Sequence, residues 1–289
     1  MMRYVNIQNL NDVDRRSGII SEIGMGTTSF WSGNNAGLET CIRKAVREYG
    51  ITVLDTAEMY GNGRCESALG RTIRSLDRNK LYIVDKILPS HVKKDTFRKR
   101  LEGSLARLQA ENIDLYLMHW RENADLQLMV DEMEEAVEDG LIHSWGVSNF
   151  SVKDMEDLLR CDRGAHCFCN QFFYCLYERG PEFDLIPLLK ENGILPMAYS
   201  SLGSDYYPHD DIHKNKKIMS ECRKADVNPE SIMLKLVTAH GAVALFQTTS
   251  LQHLDENLKE VPEALYEELR QVFEEAYPAP SSARELVKI

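Results

Sequence analysis

Four residues of this 289-residue chain carry side chains suited to giving a proton to a reacting oxygen: Asp55, Tyr60, Lys86 and His119. A phenol such as Tyr60 is a poor acid near neutrality, because its unperturbed pKa is about 10. A lysine ammonium beside it stabilises phenolate and makes the proton easier to release. A carboxylate such as Asp55 keeps that lysine charged and in place. An imidazole such as His119 can hydrogen-bond a carbonyl oxygen and orient it. The four together suit general acid catalysis with electrostatic support, in which an alkoxide formed at a carbonyl carbon takes its proton from Tyr60. Each residue also has a plainer reading. Asp55 suits a helix N-cap or a turn, Tyr60 can simply pack, Lys86 can open an exposed loop, and His119 can be a satisfied core histidine. Their shared placement at the ends of successive apolar runs favours the chemical reading.

The elements that must position them are legible as an alternation. The runs 51–54 (ITVL), 81–84 (LYIV), 113–118 (IDLYLM), 142–147 (IHSWGV), 194–198 (ILPMA) and 242–246 (AVALF) are short and largely apolar. Runs of that length suit strands buried on both faces of a parallel sheet. Segment 166–170 is a weaker candidate, and a further strand is expected near 20–26. Between them lie apolar stripes at helical period: Leu38, Cys41, Ile42, Ala45, Val46 and Tyr49; Leu69, Ile73 and Leu76; Phe97, Leu101, Leu105 and Leu108; Met129, Met133, Ala136 and Val137; Val152, Met155 and Leu159; Leu251, Leu254, Leu258 and Val261. Each stripe gives a helix one face to lay on a sheet and needs no functional explanation.

Polar residues close the runs: Asp55, Lys86, His119, Ser148, Asn170, Tyr199 and Gln247. Successive intervals run from 22 residues (Ser148 to Asn170) to 33 (Lys86 to His119), then 48 before Gln247. Five intervals fit one strand-helix unit each, and the last leaves room for an extra helix after Asn228-Pro229. Eight units favour a closed (β/α)8 TIM barrel over an open sheet. The expected arrangement is one domain over residues 1–289, with a short hairpin from Tyr4–Ile7 and Ser17–Ile20 and a terminal helix within Pro262–Tyr277. In such a barrel the reaction site lies where the strands end.

Composition narrows the function classes. A net charge of −11 argues against nucleic acid as a partner. The basic run Lys93, Lys94, Arg98, Lys99 and Arg100 reads as a solvated helix face. Seven cysteines, with no Cys-x-x-Cys pair, make a poor disulfide or zinc framework and suit buried reduced thiols in a cytoplasmic protein. Residues 1–12 do not resemble a signal peptide, and no apolar run is long enough to span a membrane.

The motifs then become specific. Gly24-Met25-Gly26-Thr27, Leu54-Asp55-Thr56-Ala57-Glu58-Met59-Tyr60, Asp85-Lys86, Leu115-Tyr116-Leu117-Met118-His119-Trp120, Gly146-Val147-Ser148-Asn149-Phe150, Asn170-Gln171 and Ala198-Tyr199-Ser200-Ser201-Leu202-Gly203 resemble aldo-keto reductase motifs in the family's order. The resemblance runs from about residue 20 to the end. Residues 170–184 and 276–280 resemble the bacterial branch that includes methylglyoxal reductases. It implies a catalytic tetrad of Asp55, Tyr60, Lys86 and His119, a metal-free reduction of small aldehydes or ketones, and NADP(H) as cofactor. It further implies that Thr27 lies in the cofactor site, that Ser148, Asn149 and Gln171 hold the nicotinamide carboxamide, that Tyr199 stacks on its ring, and that Ser200, Leu202 and Gly203 line the pyrophosphate. Glu256 and Asn257 match the family's adenine contacts.

Two departures concern the cofactor. The family commonly pairs the 2′-phosphate of NADPH with a Lys and an Arg, where this chain has Gln247 and His253. Thr248, Thr249 and Ser250 still offer hydroxyls and backbone N–H groups at an expected helix start. Weakened NADPH preference and use of NAD(H) are therefore expected. Ser201 replaces a proline common in the branch, which predicts a less rigid loop. Asp85 should point away from the barrel interior and bond to a helix or loop. Trp31 and Trp120 suit the walls of a substrate pocket, and packing suits them nearly as well. The short stretch from Gly203 to Lys214 implies an open pocket for small carbonyls. A monomer without nucleic-acid or membrane partners is expected. A non-catalytic redox sensor that binds the same nucleotide is the alternative, motivated by Gln247 and His253. A barrel lyase or isomerase would leave Ser148, Asn149, Gln171 and Tyr199 unexplained.

Overall fold

Each short apolar run becomes a strand of one parallel ring. The computed structural model describes residues 2–6, 19–33, 35–205 and 212–289. Its strands are β1 (Ile23–Gly26), β2 (Val53–Asp55), β3 (Tyr82–Ile87), β4 (Ile113–Met118), β5 (Ile142–Ser148), β6 (Cys169–Phe173), β7 (Leu195–Tyr199) and β8 (Val243–Phe246). The helices are α1 (Asn35–Tyr49), α2 (Arg64–Ile73), α3 (Phe97–Leu108), α4 (Leu126–Glu138), α5 (Val152–Leu159), α6 (Leu185–Glu191), α7 (Lys216–Ala225), α8 (Pro229–Ala239), α9 (Leu251–Asn257) and α10 (Glu263–Ala276). Strand order is sequential, and β1 pairs in parallel with both β2 and β8, which closes the barrel.

The interior is filled rather than open. Val53, Tyr82, Val84, Leu115, Leu117, Cys169, Leu195, Met197, Val243 and Leu245 form the inner core, while the helices lay their stripes on the outside. At the N-terminal rim, Ile20 joins that inner core. Tyr4 bridges Ser21 antiparallel, and Val5 N donates to Ile20 O at 2.8 Å. The rest of the expected hairpin falls at positions 7–18, outside the described residues.

Three differences from the sequence pattern have physical causes. The weak candidate 166–170 lies about three residues late as β6, because residues 164–166 form a short 3-10 turn and Phe172 and Phe173 extend the strand between β5 and β7. Helix α6 carries Pro187 but tolerates it, since the third helical position has no intrahelical N–H bond to lose. Helix α7 precedes the expected α8 and buries only Ile218 and Cys222, too narrow a stripe to stand out.

Two glycines fix how closely neighbours approach. A Cβ on Gly146 of β5 would lie 2.3 Å from the Cys169 carbonyl oxygen, a backbone atom that cannot swing aside. One on Gly103 of α3 would meet only the far end of the Arg107 side chain at 3.1 Å. Urea denaturation should therefore show Gly146→Ala destabilised by about 2 kcal/mol or more. Gly103→Ala should be more stable than wild type by ~0.5 kcal/mol or more, as expected for alanine inside a helix. Equal effects at both positions would contradict this packing.

Candidate active site

The C-terminal ends of the strands bring Asp55, Tyr60, Lys86 and His119 together. Asp55 ends β2, Lys86 is the penultimate residue of β3, and His119 follows β4 directly. Tyr60 comes from the β2–α2 loop, which is stitched to β3 by Thr56 N donating to Val84 O at 2.8 Å and Glu58 N to Lys86 O at 3.2 Å. Gly61, Asn62 and Gly63 all take positive φ, and this tight reversal leads into α2 at Arg64.

Lys86 is the hub. Its Nζ donates to both Asp55 carboxylate oxygens at 2.7 Å and to the Thr56 carbonyl at 2.9 Å, and lies 3.5 Å from the Tyr60 hydroxyl. Lys86 is 1% exposed and Asp55 4% exposed, so water screens little of the attraction. Burial disfavours the ammonium, yet Asp55 foremost, together with Tyr60 and Asp85, outweighs it and holds Lys86 above its ordinary pKa. Burial also pushes the Tyr60 phenol up, while Lys86 pulls it down and Asp55 pushes it up again. The lysine therefore opposes the cost of burying a phenolate without overcoming it.

His119 completes the mouth. Its ring meets Tyr60 edge-on at 5.7 Å between centroids. Burial, and after it the Lys86 charge, holds His119 well below its ordinary pKa, so the ring is neutral. Trp120 lies 4.8 Å from His119 between centroids, and Trp31 is 65% exposed.

Amide side chains border this group. Ser148 ends β5, and Asn149 follows at φ 61°. Asn149 Nδ2 donates to the His119 carbonyl at 3.1 Å, and its Oδ1 accepts from the Tyr199 hydroxyl at 2.8 Å. Gln171 of β6 donates from Nε2 to Asp55 Oδ2 at 2.8 Å. Thr27 Oγ1 donates to the Asp55 carbonyl at 2.9 Å. The backbone N–H of Ile289, at the end of the segment after α10, reaches the Tyr199 hydroxyl at 3.5 Å. No periodicity or motif marks that return of the chain.

Beyond β7, Ser200 and Gly203 take positive φ. Ser201 is buried, donating from its N–H to Leu245 O at 3.1 Å and from its hydroxyl to Ala198 O at 3.0 Å. The expected looseness is therefore corrected at this residue: two hydrogen bonds, which proline could not make, tether it. The stretch Gly203 to Lys214 falls partly outside the described residues. Gln247 follows β8, and its Oε1 accepts from Ser29 N at 2.9 Å and Thr28 Oγ1 at 3.0 Å. Ser250 caps α9 by accepting from His253 N, and its own N–H is taken by Thr248 Oγ1. His253 is exposed, whereas Asn257 is buried with its Oδ1 bonded to Asn228.

A cavity of ≈ 580 Å³ opens at the opposite rim, lined by Arg74, Arg78, Asn112 and His143 among others. Arg78 is committed to the buried Asp114, and none of Asp55, Tyr60, Lys86 and His119 lines this cavity.

The aldo/keto reductase family profile matches residues 22–273. This chain belongs to the aldo/keto reductase family. It is an oxidoreductase of that family's carbonyl-reducing kind. It is 31% identical over 268 residues to the methylglyoxal reductase YeaE of Escherichia coli, covering 91% of this chain and 94% of that one. An aldo/keto reductase from Klebsiella pneumoniae, solved with NADP and acetate, superposes with a TM-score of 0.86 at 33% identity, covering 93% of this chain and 96% of the other. The methylglyoxal reductase DkgB of E. coli O157:H7 is 26% identical, over 75% of this chain and 79% of its own.

Several residues that shape this reductase site carry no assigned role in the sequence reading. Glu58, inside the Asp-Thr-Ala-Glu motif, accepts from Leu88 N at 2.8 Å and contacts His91 Nδ1 at 2.7 Å, joining the Tyr60 loop to the loop after β3. Arg121 joins Asp154 and Asp157 of α5 at 2.9 and 2.7 Å, bracing the segment that follows His119. Asp85 does face outward, toward Glu66 of α2, which Arg107 of α3 holds by two bonds. One Asp85 oxygen accepts from Lys86 N at 2.9 Å, and the other is buried with no donor among the described residues.

Burial, and after it the Glu66 charge, pushes the Asp85 carboxyl well above the usual carboxylate range. In the unfolded chain Asp85 ionises near its ordinary value of about 3.9, while the folded site resists ionisation, so stability is lost as pH rises above that value. Asp85→Asn should thus gain stability over wild type progressively from about pH 4 to pH 7, with no gain at pH 3. Urea titrations across that range check it, and a gain independent of pH would contradict it.

Proposed function

We propose that this reductase converts a small aldehyde or ketone to the alcohol, with Tyr60 as the proton donor. The observation that carries the reading is Lys86 Nζ, held at 2.7 Å by both Asp55 oxygens and 3.5 Å from the Tyr60 hydroxyl. As the carbonyl oxygen gains charge, Tyr60 gives up its proton and the fixed ammonium offsets the phenolate that remains. Neutral His119 can donate one N–H to that oxygen, orienting the carbonyl and stabilising its charge. Trp31 and Trp120 supply apolar walls to the mouth.

The residues present suit a nicotinamide. Among the described residues no donor reaches Gln171 Oε1, and the Ser148 hydroxyl hydrogen has no acceptor. One free acceptor and one free donor complement a carboxamide. Asn149 extends that pair, and the half-buried Tyr199 ring offers a stacking face beside it. The bound cofactor would supply the hydride. Ser200, Leu202 and Gly203 suit the pyrophosphate, and Glu256 and Asn257 suit the adenine.

The 2′-phosphate end is less well provided. Gln247 is drawn to Thr28 and Ser29, and His253 is the other side chain in place of a permanent cation. Thr248, Thr249 and Ser250 offer hydroxyls and backbone N–H groups at the start of α9, but no side-chain cation. This set supports both NADPH and NADH as donors. The chain works as a monomer in this reading.

The test is the loss of reduced-cofactor absorbance with methylglyoxal and small aldehydes. Tyr60→Phe should lose kcat by about 100-fold or more while keeping cofactor affinity. NADPH should bind less than about 100-fold tighter than NADH, a gap of ~2.7 kcal/mol. Cofactor binding without turnover of any carbonyl would instead favour a nucleotide sensor, and a larger NADPH preference would refute the dual-cofactor reading.

A further inference from the structure

Gln171 holds a member of the acid machinery as well as facing the cofactor. Its Nε2 lies 2.8 Å from Asp55 Oδ2 and 3.1 Å from Met197 Sδ. An ionised carboxylate only accepts hydrogen bonds, so the amide atom facing Asp55 must be the nitrogen. Its two hydrogens are thereby directed at protein atoms. Gln171 is 1% exposed, and it sits on β6, diametrically across the barrel from Asp55 on β2.

We propose that Gln171 is a positioning residue for Asp55, fixing the carboxylate so that both oxygens face Lys86. The need for such a residue follows from the geometry. Asp55 ends a strand of only three residues, so its backbone is followed at once by loop. Lys86 alone draws the carboxylate toward the lysine but does not fix its plane. The amide adds a second direction and shares the negative charge of Oδ2. Without it, Asp55 bears more uncompensated charge near Tyr60, and a phenolate beside a bare carboxylate is disfavoured. The phenol becomes a weaker acid.

The inference rests on reading Gln171 Oε1 as the carboxamide acceptor, and it adds a coupling: one amide meets the cofactor on one side and the acid on the other. Asn149 provides the contrast. It also borders the carboxamide site, but its amide bonds to the backbone carbonyl of His119, not to the Asp55–Lys86 pair.

The experiment measures kcat against pH at saturating NADPH with a small aldehyde, together with NADPH affinity. Wild type is compared with Gln171→Met, Gln171→Glu and Asn149→Gly, the last suiting the positive φ at that position. Gln171→Met should weaken cofactor binding, lower kcat by about tenfold or more, and move the alkaline limb upward by about half a pH unit or more. Asn149→Gly should weaken cofactor binding with its limb where wild type has it. In Gln171→Glu a protonated carboxyl can restore the bond, so kcat should recover toward wild type as pH falls. An unmoved limb in Gln171→Met, an equal shift in Asn149→Gly, or no recovery in Gln171→Glu would overturn the positioning role. Wild-type NADPH affinity in Gln171→Met would overturn the carboxamide reading instead.

Discussion

A buried ammonium has to be answered by a buried carboxylate, and that requirement organises the mouth of this barrel. Taking Lys86 out of water costs several kcal/mol unless an opposite charge and further acceptors meet it. Asp55 and the Thr56 carbonyl do so at hydrogen-bond distance. Removing either charged partner would leave the other buried and unpaired, at a cost of about 3–5 kcal/mol. The pair is thus fixed by stability, and Tyr60 is placed against an ammonium that has nowhere else to go.

The barrel makes that arrangement affordable in geometric terms, because parallel strands present every C-terminal end on one face. Asp55, Lys86 and His119 come from three neighbouring strands. Gln171 and Tyr199 come from the far side, and Asn149 links the two halves by bonds to His119 and Tyr199. Close backbone approach at Gly146 and the filled interior keep the ring rigid, so short hydrogen bonds across the mouth can persist. Behind Lys86 the buried Asp85 and Glu66, with the half-buried Arg107 over them, occupy the space under α2 and α3.

Much of this was legible in the residues. Strand β4 has the bounds its apolar run implies, and α3 spans its stripe from Phe97 to Leu108. Convergence of the four chemical residues followed from strand-end placement. What stayed hidden depends on contacts far apart in the chain. The bond from Gln171 to Asp55 spans 116 positions and leaves no periodic trace. The buried side of Asp85 is visible from strand alternation, but its neighbour Glu66 lies on a helix stripe whose exposed and buried polar residues look alike in sequence. Strand β6 was displaced because Asn170 and Gln171, its second and third residues, interrupt the apolar run. Gln247 reads as a missing cation in sequence, and only the fold shows its carbonyl committed to Thr28 and Ser29.

The most direct measurement of the central claim is the ionisation of Tyr60 itself. Phenolate absorbance is titrated against pH in wild type and in Lys86→Met, each with a Tyr60→Phe counterpart to isolate the one tyrosine. If the Lys86 ammonium supports the acid, Tyr60 ionises at a higher pH once the lysine is gone. An unchanged titration would contradict the account, because the lysine would then do nothing for the phenol it is held against.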